Sequence, residues 1–210
     1  VGEASLVGWF ELPDAPEMLG GAFVLNGLTG ELSGQGTFPG GPYLMDPDSY
    51  GPQCQPVNRF PEARIDARNL SANAPEIWID LARIGQVSPS GTDGTRSVYL
   101  RLTDVRVKAW MVAGGLTKVV MSDGVLSGVV TREDLEQAFT VLETICEEVS
   151  GDERPPLCDG FGLSLGILRV LYPLMMDLRR DGDGKYTSEG PGVNPDAVSV
   201  CLTFETAQAS

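Results

Sequence analysis

Four aspartates near the end of the chain, Asp177, Asp181, Asp183 and Asp196, are the residues whose types and spacing come nearest to chemistry. The run Asp177-Leu178-Arg179-Arg180-Asp181-Gly182-Asp183-Gly184 holds three of these carboxylates, two of them interleaved with glycines that let the backbone turn sharply. Hard cations such as calcium take carboxylate and carbonyl oxygens from loops of this kind. The expectation is one calcium ion held by these four side chains. The spacing is not that of an EF-hand: counted from Asp181, the fifth position is Lys185 and the twelfth is Gly192. A rival arrangement needs no metal, because Arg179, Arg180 and Lys185 can neutralise the carboxylates from within. Asp-Gly pairs also build turns without any ion.

The other chemistry-bearing pattern is Gly162-Leu163-Ser164-Leu165-Gly166, which matches the nucleophile elbow of serine hydrolases. That mechanism needs a histidine to take the serine proton, and the chain contains none. The pattern also opens a helical stretch with no strand before it, so Ser164 reads as part of a helix start. The lack of histidine removes the commonest general base and the commonest transition-metal ligand together. No glycine-rich phosphate loop is present, which leaves nucleotide binding unsupported. Carboxylate pairs of the glycosidase kind can be drawn in many ways from 29 acidic residues, and none stands out. The chain is expected not to be an enzyme.

The four cysteines, Cys54, Cys146, Cys158 and Cys201, lack CxxC spacing, and four cysteines allow three pairings. Cys146 and Cys158 bracket the polar loop EEVSGDERPPL, which suits a local bridge. That leaves Cys54 with Cys201, a long-range staple from the early chain to its last strand. Each bridge would contribute about 3 to 5 kcal/mol by loop entropy. Disulfides belong to oxidising compartments, so an extracytoplasmic location (periplasm, cell surface or secreted) is expected.

The elements that must position these residues follow from composition and periodicity. Acidic residues number 29 against 15 basic ones, a formal net charge of -14, so nucleic acid and anionic membranes are poor partners. The most apolar stretch, Phe161 to Met176, carries Arg169 and is short of the roughly 20 residues of a membrane span. With Val1 at its start and no signal peptide, the chain reads as mature or trimmed. Strands are predicted at Ser5–Leu12, Ala22–Leu28, Ala63–Leu70, Glu76–Ile84, Val98–Val112, Lys118–Met121 and Val125–Val130. Asn26-Gly27, Asp93-Gly94, Gly114-Gly115 and Ser122-Asp123-Gly124 read as turns. Gly34 to Pro61 reads as a long ordered loop.

At Thr131 the period changes. Thr131 is a predicted N-cap, followed by acidic residues and by Leu135, Phe139, Leu142 and Ile145 on one helical face. Gly162–Met176 reads as a second helix, apolar all round and therefore buried, and Asp196–Thr206 as a closing strand. The expected fold is mainly β: an antiparallel sandwich or barrel, one domain over residues 1–210, with a disulfide-clipped two-helix insert at about 131–177 before the last strand.

The span Asp177 to Phe204 resembles a C-terminal signature of uncharacterised exported proteins and lipoproteins of myxobacteria and their relatives. The signature runs Asp-x-Asp-x-Asp-Gly-Asp-Gly, two residues, then Asp-Ala-Leu-Ser-Val-Gly-x-x-Phe. It is matched at Asp177, Asp181, Gly182, Asp183, Gly184, Asp196, Ala197, Ser199, Val200 and Phe204, and LSGVVTREDL at 126–135 is similar to the strand-then-helix segment upstream. Arg179 stands in place of a signature aspartate, Lys185–Pro195 is inserted ahead of Asp196, and Cys201 replaces glycine. The first two departures remove one calcium ligand and displace another. The resemblance implies an envelope or surface protein with an acidic loop between a helix and the last strand.

The functional expectation is a non-enzymatic extracytoplasmic protein, acting as a structural or protein-binding subunit of an assembly. Trp9-Phe10 and Tyr43-Leu44-Met45 are candidate contact surface. The alternatives are a calcium-dependent carbohydrate-binding or adhesion module and, behind it, a carboxylate-dependent hydrolase.

Overall fold

Alternating runs such as Leu100-Arg101-Leu102 and Val105-Arg106-Val107-Lys108 can bury one face of a strand and wet the other, and they lie in the longest strand of the fold. The computed structural model describes residues 8–11, 21–32, 43–45, 49–80, 98–113, 119–148, 158, 165–188 and 195–204. Its elements are β1 (Gly8–Glu11), β2 (Phe23–Leu32), β3 (Tyr43–Met45), β4 (Asn58–Asp66), β5 (Asn69–Asp80), β6 (Tyr99–Ala113) and β7 (Val119–Thr131). Two helices follow, α1 (Arg132–Glu148) and α2 (Leu165–Met175), then β8 (Arg179–Arg180), β9 (Tyr186–Thr187) and β10 (Ala197–Phe204).

The fold is mainly β and antiparallel, with the helix pair inserted before the closing strand. The main sheet runs β1-β2-β4-β5-β6-β7-β10 with β3 beside β2, and β8–β9 forms a separate hairpin. β10 returns after the helices to pair with β7 from Ala197↔Thr131 to Phe204↔Gly124. One core cluster joins Leu25 and Phe60 to Leu102 and Val130, with Phe204 packed against it. α1 lies against β6 and β7, and its Ala138, Leu142 and Ile145 form a second buried cluster with Val98, just before β6, and Cys158. Leu25 and Phe60 are buried in the first cluster, next to a register shift between Phe23 and Leu25 in the β2–β4 ladder.

Two of the positive backbone angles lie at bulges. Register shifts between β6 and β7 fall at Thr103/Arg106 and at Lys108/Trp110. Asp104 (φ 51°) and Asp123 (φ 49°) lie in those two intervals, in the left-handed region that aspartate tolerates better than most residues. Opposite Asp104 lies Pro75, which has no N–H for a ladder, and the buried positions change phase there in both strands, from Ala74 to Ile77 and from Leu102 to Val105. Across the β7–β10 ladder the Phe204 ring covers Gly124, where an added Cβ would lie 2.5 Å from the ring.

The sequence expectations meet this fold with four differences. The stretch Gly34–Pro61, expected to be one long loop, contains β3 and the start of β4. The strand expected over Ala63–Leu70 contains the β4–β5 turn at Ala67 and Arg68, both at positive φ. The two strands expected around Ser122-Asp123-Gly124 are one strand with a bulge. Asn26-Gly27 lies inside β2, where a Cβ on Gly27 would come within 3.3 Å of the Asn58 Cβ.

Candidate functional site

The acidic segment folds as a hairpin in which Asp177, Asp181 and Asp196 accept from backbone N–H groups. Asp181 Oδ1 accepts from the N–H groups of Asp183 at 2.9 Å and Lys185 at 2.8 Å, the local pattern that makes aspartate a turn former. Arg180 Nε donates to the Gly184 carbonyl at 3.3 Å, beneath a glycine at φ 81°. Asp177 Oδ1 accepts from the Ser199 N–H at 2.7 Å and its other oxygen takes the Ser199 hydroxyl, so this side chain ties the segment to β10. Asp196 Oδ1 accepts from the Arg180 N–H at 3.2 Å. Asp183 is exposed. Among the described residues no three acidic, cysteine or histidine side chains are grouped to hold a metal ion, and Asp177, Asp181 and Asp196 each accept from a backbone N–H. Nearby, burial first and then the charges of Asp196, Asp134 and Asp104 push the Tyr186 phenol upward, against the pull of Arg180.

The cysteines divide. Cys146 and Cys158 form a disulfide that clips the end of α1. Cys54 and Cys201 are exposed free thiols, which corrects the expected second bridge. The sheet order supplies the reason: Cys54 leads into β4, and β5, β6 and β7 separate that strand from Cys201 on β10. Four strand spacings amount to roughly 19 Å, whereas a disulfide needs Cα atoms within about 7 Å.

The helix pair presents a run of exposed apolar side chains. Thr131 caps α1 as expected, accepting from the Asp134 N–H at 3.1 Å and donating back to its carboxylate. α2 then docks on α1 largely through polar contacts. Arg169 pairs with Glu143 at 2.6 Å, the Tyr172 hydroxyl donates to Glu136, and the Tyr172 ring packs against Phe139 with centroids 5.6 Å apart. The opposite side of α2 is apolar and open to solvent: Val170 is 73%, Leu174 81% and Met175 64% exposed, and Ile167 and Leu171 are also exposed. These positions repeat at i, i+3, i+4 and i+7, one continuous stripe. The second helix, expected to be buried all round, is thus inverted, with its polar groups toward the body and its apolar stripe outward. Pro173 removes one internal hydrogen bond from this 11-residue helix, so α2 relies on its docking for stability. Ser164 lies outside the described residues, just before the helix begins at Leu165. Trp9-Phe10 falls in β1 and Tyr43-Leu44-Met45 is β3; their side chains lie outside the described residues.

A cleft was not legible in the sequence, because four separate segments build it. The turn at 49–57 is held by three backbone bonds: Gly51 N to Gln55 O, Cys54 N to Gly51 O and Val57 N to Ser49 O. Next to it, β4 diverges from β5 beyond Arg64↔Ser71, and the Asn58 side chain spans the gap. Its amide donates to the Trp78 carbonyl at 2.8 Å and its carbonyl accepts from the Trp78 N–H at 2.7 Å. Between the turn and the ends of β5 and β6 lies a cleft of about 380 Å³, with Tyr50, Trp78 and Tyr99 on its wall beside Ser49, Asn58 and Asp80. Asp80 is 1% exposed, and its Oδ1 accepts from the Val98 N–H at 3.1 Å.

Comparison with protein-family models, with curated proteins and with solved structures returned no match. Function therefore has to be read from the surfaces themselves.

Proposed function

We propose that this chain is a non-enzymatic, extracytoplasmic protein that docks a partner protein on the outward stripe of α2. The observation that carries the reading is the inversion of that helix. Soluble monomers rarely leave contiguous apolar side chains in water, and such a patch marks a contact surface. The Cys146–Cys158 bridge supports an oxidising location, and among the described residues no helix is long and apolar enough to cross a membrane. The absence of histidine supports a non-catalytic role.

Charge selects the occupant. α1, against which α2 packs, carries Glu133, Asp134, Glu136, Glu143, Glu147 and Glu148 against one arginine, and the whole chain has a net charge of -14. A second copy on the stripe would set acid against acid, so the partner is an apolar segment of another protein flanked by lysine or arginine.

Calorimetric titration with a synthetic amphipathic helix of leucine and lysine tests this. Wild type is expected to bind, and Leu174→Glu to bind at least about tenfold more weakly, since it removes a large buried contact. Binding by charge alone would strengthen in that variant, because it adds an acid, and would overturn the proposal. So would light scattering that showed a wild-type dimer dissolved by Leu174→Glu, or lipid vesicles bound by wild type and lost in the variant.

A further inference from the structure

Three aromatic side chains and a carboxylate share the wall of the 49–58/78–80/99 cleft, and none of its described lining residues is basic. Aromatic faces carry the negative end of the ring quadrupole. The Asp80 side chain lies buried beside them, its Oδ1 accepting from the Val98 N–H, and the chain as a whole carries a net charge of -14. An anion is repelled by the ring faces and by the net charge. A neutral sugar gains from the rings but nothing from the charge. A cation gains from both. We propose that this cleft binds an organic cation, an alkylammonium or quaternary ammonium group seated against Tyr50, Trp78 and Tyr99 with Asp80 behind it.

The supporting structure is rigid where recognition needs it. Both polar ends of the Asn58 amide hold the Trp78 backbone, which fixes β5 at the cleft floor. Tyr50 and Tyr99 are 38% and 37% exposed, so their rings are open to a ligand and their replacement leaves the core intact. The volume is at the small end of ligand pockets, enough for a headgroup of a few carbons. This inference does not depend on the α2 surface.

The test is calorimetric or NMR titration of the whole chain with choline and with 3,3-dimethylbutanol, its uncharged isostere. Choline is expected to bind, and the neutral isostere to bind about tenfold more weakly, as a cation–π contact requires. Tyr50→Leu and Tyr99→Leu should each weaken choline severalfold, whereas Tyr99→Phe, which keeps the ring, should bind as wild type does. Asp80→Asn keeps the acceptor for Val98 and should also weaken choline. Equal affinity for the two isosteres, or no binding of choline or tetramethylammonium at tens of millimolar, overturns the proposal. Binding of cellobiose in place of either cation would do so as well, and would mark the cleft as a saccharide site.

Discussion

Gly124 and Phe204 face each other across the β7–β10 ladder, and the ring fills the space where any side chain at 124 would begin. An aromatic laid over a strand glycine restores the packing that glycine lacks. Gly124→Ala is expected to lower stability by about 1 to 3 kcal/mol in urea unfolding, because the ring must move off the core; unchanged stability would mean the ring shifts freely. At Tyr172, burial first, and then the hydrogen bond to Glu136 and its charge, push the phenol above its ordinary value of 10.0, against the pull of Arg132 and Arg169. A raised phenol holds its proton more tightly in the folded state. Its contribution is therefore whole below about pH 10 and is lost as pH climbs through the folded value. Tyr172→Phe should cost about 1 kcal/mol at neutral pH through the lost bond. The gap between wild type and this variant should then narrow above pH 10, which paired unfolding curves would read. Asp181 shows what single residues conceal: its spacing suggests a cation ligand, and in the fold the same carboxylate accepts two backbone N–H groups across a turn.

Among the elements, the legible ones are those whose caps and periods agree. Thr131 and its acidic first turn mark α1, and Thr131→Ala is expected to cost about 1 kcal/mol, measured against Thr131→Ser, which keeps the acceptor. The local spacing of Cys146 and Cys158 likewise marks the clip on α1. Its removal by paired serine substitution should cost about 2 to 4 kcal/mol, and no change in melting would show that the clip adds nothing to the fold. What escaped the sequence did so for physical reasons. Ala67 and Arg68 form a turn that usually calls for asparagine and glycine, so nothing in their types announces it. Ser122-Asp123-Gly124 does have turn chemistry, but it is used to insert a bulge while pairing continues on both sides. The apolar content of α2 was plain from its residues, yet content alone does not say which side faces the body. That depended on where Arg169 and Tyr172 found partners on α1. The aromatic cleft had no local signature at all, since Tyr50, Asn58, Trp78 and Tyr99 meet only after β4 parts from β5.

At the scale of the whole molecule, an acidic antiparallel sheet carries a clipped helical pair on β6 and β7 and turns an apolar stripe away from its own core. The two proposed surfaces are carried by different elements, so a variant of one should leave the other intact. Net charge of -14 favours a dispersed protein, and the partner proposed for each surface is cationic. The central claim is that the stripe on α2 exists for an outside surface and contributes little to the fold of the chain itself. The unfolding free energy of Leu174→Glu in urea, beside wild type, tests it most directly. A charge on a free surface is expected to change stability by no more than about 0.5 kcal/mol. A loss of roughly 2 kcal/mol or more, the cost of disrupting a buried leucine, would place Leu174 in the core of the chain and contradict the account.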